Sequence, residues 1–402
     1  MSHASPTSLP LADIVVLDLS RVLAGPYTTM MLADMGAQVY KVEHPAGGDD
    51  SRAFGPFIGG ESAYFMSLNR NKRSLTMDLK KPQAKELMLR MVQRADVLIE
   101  NFRPGAMERL GLGYDTLREV NPRLVYAAVS GFGHNGPYML KPCYDIVAQA
   151  MGGLMSITGH PDGPPTRVGA SLGDIIAGLF TTSGILAALH ERSRSGSGQK
   201  VDVAMLDSQV AILENAVARY LAEGVVPERL GNRHPSVTPF NSFETADGYV
   251  ILGVGNDGFW LRLCELMVRP DLAADERFGT NSDRTANWTA LEPELVMEFR
   301  KRTTDEWLRL LEQAGIPCGP INTVDKVVAD PQVQARRMIQ TIEDSRVGRV
   351  AVTASPIKLS RTPIDEEFRP APGLGEHTAE ILRELLDLAD EEIRVLRQAG
   401  VV

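Results

Sequence analysis

The chain has 402 residues, 44% hydrophobic and 23% charged, with 42 Lys+Arg against 51 Asp+Glu for a formal net charge of −9. This composition excludes a disordered or collagen-like polymer and suffices for one large core or two moderate ones. The acidic balance argues against nucleic acid as a partner, because phosphate backbones select basic surfaces.

Ile14–Leu17 reads as a short strand, and Gly25-Pro26 opens a helix carried by Tyr27–Met35. Val39–Glu43 supplies the next strand, so the segment is a βαβ unit and its sheet is parallel. The pattern repeats with a helix over Pro82–Arg94, a strand over Val97–Glu100, a helix over Tyr114–Val120 and a strand over Leu124–Val129. A doubly wound α/β domain is expected. Gly173–Arg192 reads as a long helix of small and apolar residues, followed by a strand at Val201–Val203 and one helix over Met205–Glu223. The texture then changes. Pro227, Pro235 and Pro239 lie close together, and Tyr249–Val254 follows Asp247-Gly248 as a strand follows a turn. Residues 1–224 are therefore assigned to a large domain, 225–323 to a smaller one, and the final helix begins near Thr378 in a C-terminal part rich in Pro and charge around 362–372.

Cys143, Cys264 and Cys318 are far apart and odd in number, so no disulfide framework is expected, and no Cys or His cluster suggests a metal. Residues 1–10 lack a secretion signal, and the apolar run 175–189 is broken by Gly178, Thr181, Thr182 and Gly184. A cytoplasmic protein with no membrane partner is expected.

Two Gly-x-Gly-x-x-Gly strings occur, at Gly131-Gly133-Gly136 and Gly253-Gly255-Gly258. The second follows a strand and precedes a helix, the context of a dinucleotide fingerprint. With 36 glycines, chance matches are expected, and the first βα turn, Ser20 to Pro26, lacks the string. That turn still presents a helix N-terminus to an anion, and Glu43 ends the second strand where a ribose-reading acid sits or where a plain surface carboxylate does. Among scattered basic residues such as Arg70, Lys72, Arg73, Lys80 and Lys81, most read as solvated surface. Asn101-Phe102-Arg103 directly follows a strand, at the sheet edge where α/β folds bind ligands. No serine elbow accompanies the 7 histidines. Asp174, between a glycine-rich turn and an apolar helix, is either a helix N-cap or a carboxylate nucleophile with small neighbours.

Together these segments resemble the family III CoA-transferases, typified by formyl-CoA transferase and carnitine CoA-transferase. The resemblance is carried by Leu17-Asp18-Leu19, Ala24-Gly25-Pro26, Lys41-Val42-Glu43, Asn71-Lys72-Arg73-Ser74, Glu100-Asn101-Phe102 with Pro104-Gly105, and Gly163-Pro164-Pro165-Thr166 with Gly169 and Gly173-Asp174. Gly198-Gln199-Lys200-Val201, Gly315–Pro320 and Leu374–Thr378 extend it. It implies a Rossmann-like large domain completed by residues 324–402, a smaller α+β domain, and a homodimer of interlocked rings. Coenzyme A and acyl-CoA are then substrates, with no permanently bound cofactor, and a carboxylic acid is the acceptor. Asp174 would be the nucleophile, forming an aspartyl anhydride and then an aspartyl-CoA thioester. CoA contacts carry over to Val22, Leu23, Ala24, Met77 to Lys80, Asn101, Phe102, Arg103 and Arg109. His44 stands where formyl-CoA transferase has a phosphate-binding arginine, and Lys141 matches an active-site lysine with a one-residue slip. The glycine run that closes over oxalate is replaced by His234-Pro235-Ser236-Val237-Thr238-Pro239, which points to a larger acceptor read by His234, Ser236 and Thr238. Succinyl-CoA as donor and a short dicarboxylate as acceptor are the family-level expectation. The α-methylacyl-CoA racemases are the nearest alternative, but their histidine falls at Tyr144, and a phenol is a poor acid/base at neutral pH. A non-catalytic acyl-CoA-binding protein is a second alternative, and a dehydrogenase rests on Gly253 alone.

Overall fold

A computed structural model describes residues 8–364 and 368–402. Residues 1–7, where the absence of a secretion signal was read, lie outside them, as do residues 365–367 of the Pro- and charge-rich stretch. The chain divides into two compact units. The first comprises residues 8–154, 168–217 and 331–402, so it is built from both ends of the chain. The second comprises 155–167 and 218–330, and the segment 225–323 lies within it.

The first unit is organised by a six-stranded parallel sheet. Its strands are β1 (Val15–Asp18), β2 (Gln38–Glu43), β3 (Arg73–Thr76), β4 (Val97–Glu100), β5 (Val125–Ser130) and β6 (Lys200–Ala204). Their order across the sheet is β3-β2-β1-β4-β5-β6, and every pairing is parallel. The order reverses between β1 and β4, where Val16 is in register with both Val39 and Val97. Such a reversal opens a crevice outside the carboxyl ends of the strands.

Both faces of the sheet are covered, which is why its inner strands are continuous apolar runs. Leu17, Leu98 and Tyr126 face one core with Leu87 and Met88 of α2 (Pro82–Val92) and with Ile381, Leu382 and Ile393 from the C-terminal helices. Val16, Val97, Ile99 and Val125 face the other, with Leu32 of α1 (Ala24–Asp34) and Ala177 and Ile185 of α4 (Leu172–Ser195), which follows α3 (Asp145–Met151). By length and composition α4 is long and apolar enough to cross a membrane, and its small residues let it pack closely on α1. A Cβ on Gly178 would lie 2.9 Å from the Ala24 carbonyl of α1, so only glycine allows the two helices to touch there. The single helix expected over Met205–Glu223 is two, Met205–Ile212 and Glu214–Glu223, and no glycine or proline marks the break at Leu213.

The second unit holds an antiparallel sheet with Tyr249–Gly253 paired between Phe240–Glu244 and Cys318–Pro320. Its core is aromatic: Phe243 stacks on Phe299 at 4.6 Å, and buried Trp307 donates its indole N–H to the Phe299 carbonyl at 2.8 Å. Thr280 with Asp283, and Thr303 with Glu306, form capping boxes that start two of its helices.

Candidate active site

Three strands of the parallel sheet end in buried acids, Asp18, Glu43 and Glu100. At β1 the Lys72 ammonium lies 3.2 Å from Asp18, and Thr29 donates to the same carboxylate at 2.6 Å. Burial pushes Asp18 up, but Lys72, Lys41 and the hydrogen bonds from Ser20 and Thr29 together outweigh it and hold the carboxyl below its usual range. Burial likewise lowers the Lys72 ammonium to about 8. The two lysines also hold backbone: Lys41 donates to the Ser20 carbonyl at 2.9 Å and Lys72 to the Pro26 carbonyl at 3.0 Å. Between these carbonyls Val22 sits at φ +68°, a conformation costly for a β-branched residue. Its N–H is held by Asp49 at 3.0 Å, and Asp49 is locked by Lys41 at 2.8 Å. The first βα turn is thus rigid because a fully buried ion cluster fixes it from below.

Asn101 completes the turn from β4, accepting the Arg21 N–H at 2.9 Å and donating to the Arg21 carbonyl at 2.8 Å. The Arg21 guanidinium stands 5.6 Å from the Phe102 ring. Phe102 donates its N–H to Glu100 at 2.8 Å, and Tyr126 donates its hydroxyl to the same carboxyl at 3.2 Å. Burial raises Glu100 to about 7. A cavity of about 480 Å³ opens here, lined by Arg21, His44, Met77, Lys80 and Phe102 among others. It lies at the carboxyl ends of β1 to β4, and its volume suits a small organic ligand.

Of the expected CoA contacts, His44, Met77, Lys80 and Phe102 line this cavity and Asn101 is bonded to its rim. Val22, Leu23 and Ala24 form the turn beside it, with Leu23 buried against Met30 and Leu68. Arg103 and Arg109 are exposed outside its lining, and Lys141 is exposed with its ammonium 3.8 Å from the Tyr138 ring. Two expectations need correcting. Glu43 is not a surface carboxylate: it is buried at the cavity wall, where Arg52 holds it through two bonds of 2.7 Å and Ser74 through one of 2.6 Å. Arg70 and Lys72 are not solvated surface but buried, paired with Asp34 and Asp18.

Asp174 is the third residue of α4, not its N-cap, which is Ser171. The free N–H of Gly173 is taken by Asp145 at 2.8 Å. A Cβ at 173 would lie 3.0 Å from the Asp145 carboxylate and 3.2 Å from the Ala148 Cβ, so any side chain there would press on this approach. Burial first, and the Asp145 charge second, raise Asp174 to about 7. Its charge in turn acts on Tyr64, pushed up by burial to about 12, and on Cys143, pushed up by burial to about 11. Tyr144 starts α3 and is 78% exposed. Asp145 and Tyr64 were not singled out from sequence. A carboxylate 28 residues before the N–H it holds has no local signature.

In the second unit the 234–239 loop is pinned to its own scaffold. His234 donates its N–H to the Phe240 carbonyl, Thr238 donates its N–H to Asn281 at 2.9 Å, and Asn281 donates to the Ser236 carbonyl at 2.8 Å. Thr238 is fully buried and its hydroxyl accepts from Thr285 at 2.9 Å, so it does not present that group to an acid. Ser236 is exposed and its N–H is held by His234 Nδ1 at 3.1 Å. The Gly253 string follows a strand paired antiparallel on both sides, not a βαβ unit, and Gly131–Gly136 leads into turns. Neither is a dinucleotide fingerprint. Among the described residues no group of three or more His, Cys, Asp or Glu side chains could hold a metal ion.

The family model of CoA-transferase family III matches residues 11–378. The chain belongs to this family. It is 45% identical, over 94% of its length and 96% of the relative, to a succinate–glutarate CoA-transferase of Agrobacterium fabrum. It is 43% identical, over 93% of its length and 95% of the relative, to an acetyl-CoA:oxalate CoA-transferase of Acetobacter aceti. Among solved structures, a CAIB/BAIF family protein from Brucella suis superposes with a TM-score of 0.84 at 41% identity, covering 94% of this chain and all of that one. The transferase is therefore an enzyme acting on CoA thioesters, and the racemase and binding-protein alternatives give way to CoA transfer.

Proposed function

We propose that the enzyme moves CoA from succinyl-CoA or a similar donor to a short dicarboxylate through covalent intermediates on Asp174. The observation that carries this reading is the environment of Asp174: a half-buried carboxylate in the first turn of a helix, beside a second carboxylate and flanked by small residues. The ionised Asp174 attacks the donor carbonyl, and CoA leaves as thiolate, giving a mixed anhydride. The thiolate attacks the aspartyl carbonyl, the donor acid leaves as carboxylate, and an aspartyl-CoA thioester remains. The acceptor carboxylate attacks that thioester and the same two steps run in reverse.

Acylated Asp174, like protonated Asp174, carries no charge. The rise in its proton affinity from 3.8 to about 7 corresponds to roughly 4 kcal/mol against the bare carboxylate. The same surroundings favour the acylated states by a similar order and give a more basic nucleophile. The CoA nucleotide is read by the cavity at β1 to β4, with His44 and Lys80 toward phosphate and Phe102 beneath the base. The Rossmann-like character of this unit is supported by the strand order with its reversal between β1 and β4.

Two relatives of nearly equal identity act on acceptors of different length by their names, glutarate and oxalate, so identity alone does not choose. The pinned 234–239 loop supports the longer acid, because a loop tied down at His234, Ser236 and Thr238 has little freedom to fold over two carbons. A homodimer is supported by large apolar side chains left bare on the first unit, Tyr144 at 78% and Leu140 at 69% exposed. A cytoplasmic location fits three free cysteines. The test is chemical: incubation with succinyl-CoA followed by hydroxylamine leaves a hydroxamate on the peptide containing Asp174, read by mass spectrometry. Adducts elsewhere, or turnover in Asp174→Ala, would remove Asp174 from the chemistry.

A further inference from the structure

We propose that Gln149 is a positioning residue of the transfer reaction, clamping Asp145 onto the start of α4 and so fixing the backbone that carries Asp174. The proposal rests on the reading of Asp174 as nucleophile. The first turn of a helix has N–H groups with no partner inside the helix. In α4 the N-cap Ser171 makes no side-chain bond, and Asp145 Oδ1 takes the Gly173 N–H from another element. A carboxylate on a short side chain holds such a position only if it is itself held. Gln149, one turn further along α3, donates Nε2 to both oxygens of Asp145, at 2.9 and 3.1 Å. Its remaining capacity goes to the segment entering α4: Oε1 accepts the Val168 N–H at 2.9 Å, and Nε2 reaches the Ala170 carbonyl at 3.3 Å. The side chain is fully buried. One amide thus ties together α3, the approach to α4 and the carboxylate that caps it.

The consequence is geometric first. A nucleophile reacts from a narrow range of approach, and a displacement of about 1 Å costs on the order of 10²-fold in rate. It is electrostatic second. The groups linked electrostatically to Asp174 come from three places: Asp145 on α3, whose charge acts on it, and Cys143 just before that helix and Tyr64 on the helix Ala63–Asn69, on which Asp174 acts. The thiol and the phenol stay neutral near pH 7, being pushed up to about 11 and about 12 by burial. Asp145 is the member of this set whose charge bears on Asp174, and Gln149 sets where that charge stands.

The experiment compares wild type, Gln149→Leu and Gln149→Glu as full-length enzyme, with succinyl-CoA and glutarate, across the pH range. In Gln149→Leu, kcat and the rate of hydroxamate formation at Asp174 fall ~10–100-fold, with KM for succinyl-CoA within about threefold because the CoA cavity is built on other loops. Gln149→Glu keeps the shape of the side chain, but two adjacent carboxylates resist ionising together. Wild-type activity climbs as Asp174 ionises, whereas Gln149→Glu matches the wild type at low pH, where activity is small in both, and falls progressively below it as pH rises and the added carboxyl ionises. Wild-type kcat in Gln149→Leu, or a wild-type pH profile in Gln149→Glu, overturns the proposal. If Gln149→Leu does not fold, the pH profile of the near-isosteric Gln149→Glu decides alone. If the wild type forms no adduct at Asp174, the nucleophile reading itself fails and takes this proposal with it, an outcome distinguishable from a wild type that forms the adduct beside an unaffected Gln149 variant.

Discussion

Two aspartates of the same unit, the buried Asp49 and the half-buried Asp174, are shifted in opposite directions. Both are penalised by burial. Asp49 has the Lys41 ammonium at 2.8 Å and the Ser51 and Val22 N–H groups, and it drops to about 2. Asp174 has a second carboxylate as its neighbour and rises to about 7. The difference separates scaffold from chemistry. A paired carboxylate is spent on holding a backbone turn, whereas a carboxylate left beside like charge is a reactive group.

The largest effect that this contrast requires is at Asp174. Asp174→Ala should lower turnover by more than ~10³-fold, as removing a covalent nucleophile does. CoA binding, measured by calorimetry, should stay within about threefold because the cavity proposed for the CoA nucleotide has no contribution from α4. Residual turnover close to wild type would erase the distinction between the two aspartates. The next effect is on the scaffold side. Lys41→Met leaves Asp49 and Asp18 buried without that cation, and breaking such a pair costs about 3–5 kcal/mol. Urea unfolding should show that loss, together with weaker CoA binding as the turn at Val22 relaxes. A fully stable Lys41→Met would mean that the ion cluster does not hold the turn.

Much of this was legible in the sequence, and the part that was not has a common cause. The apolar runs Val15-Val16-Leu17 and Val97-Leu98-Ile99 announce strands covered on both faces, and Pro82 and Gly25-Pro26 announce helix starts. Asp174 stood out because its neighbours are small. Burial of charge is a different matter, because it depends on a partner far along the chain. Arg70 finds Asp34 and Lys72 finds Asp18, 36 and 54 residues earlier, so reading either residue locally puts it on the surface. Asp145 and Gln149 were missed for the same reason. Thr238 was given to the substrate because its partner Thr285 is 47 residues away. The Gly253 string misled because local spacing does not reveal that its strand pairs antiparallel.

The pH dependence of stability sharpens the comparison further, since the two aspartates act with opposite sign. The unfolded Asp174 loses its proton near 3.8 and the folded one near 7, so between these values the folded state binds more protons. Stability from this group falls as pH rises through that window. Removing it should therefore stabilise the protein at pH 8 by ~1–3 kcal/mol and do little at pH 4. For Asp49 the folded value is about 2, so its contribution is complete above 3.8 and is lost as pH falls through about 2. Urea unfolding of wild type and Asp174→Ala at both pH values checks this. A difference that does not change with pH contradicts the raised proton affinity of Asp174.

The same contrast recurs at smaller scale in the second unit, between Thr238 and Ser236. The Thr238 hydroxyl is buried and bonded to Thr285, and its carbonyl accepts from the buried Arg284 at 2.8 Å. The Ser236 hydroxyl is exposed, 3.4 Å from His234 Nδ1. If satisfied groups are scaffold and exposed polar groups read the acceptor, the two hydroxyls must respond differently to removal. Thr238→Val should cost about 1–2 kcal/mol of stability by breaking a buried hydrogen bond, while leaving the ranking of acceptors as it was. Ser236→Ala should leave the melting temperature alone and lower kcat/KM for glutarate ~3–10-fold relative to butyrate, the size of one hydrogen bond to a distal carboxylate. Oxalate serves as the control, since it has no distal carboxylate at that distance. A Ser236→Ala enzyme that keeps the wild-type order of glutarate, butyrate and oxalate would leave the loop as scaffold throughout, with acceptor choice made elsewhere.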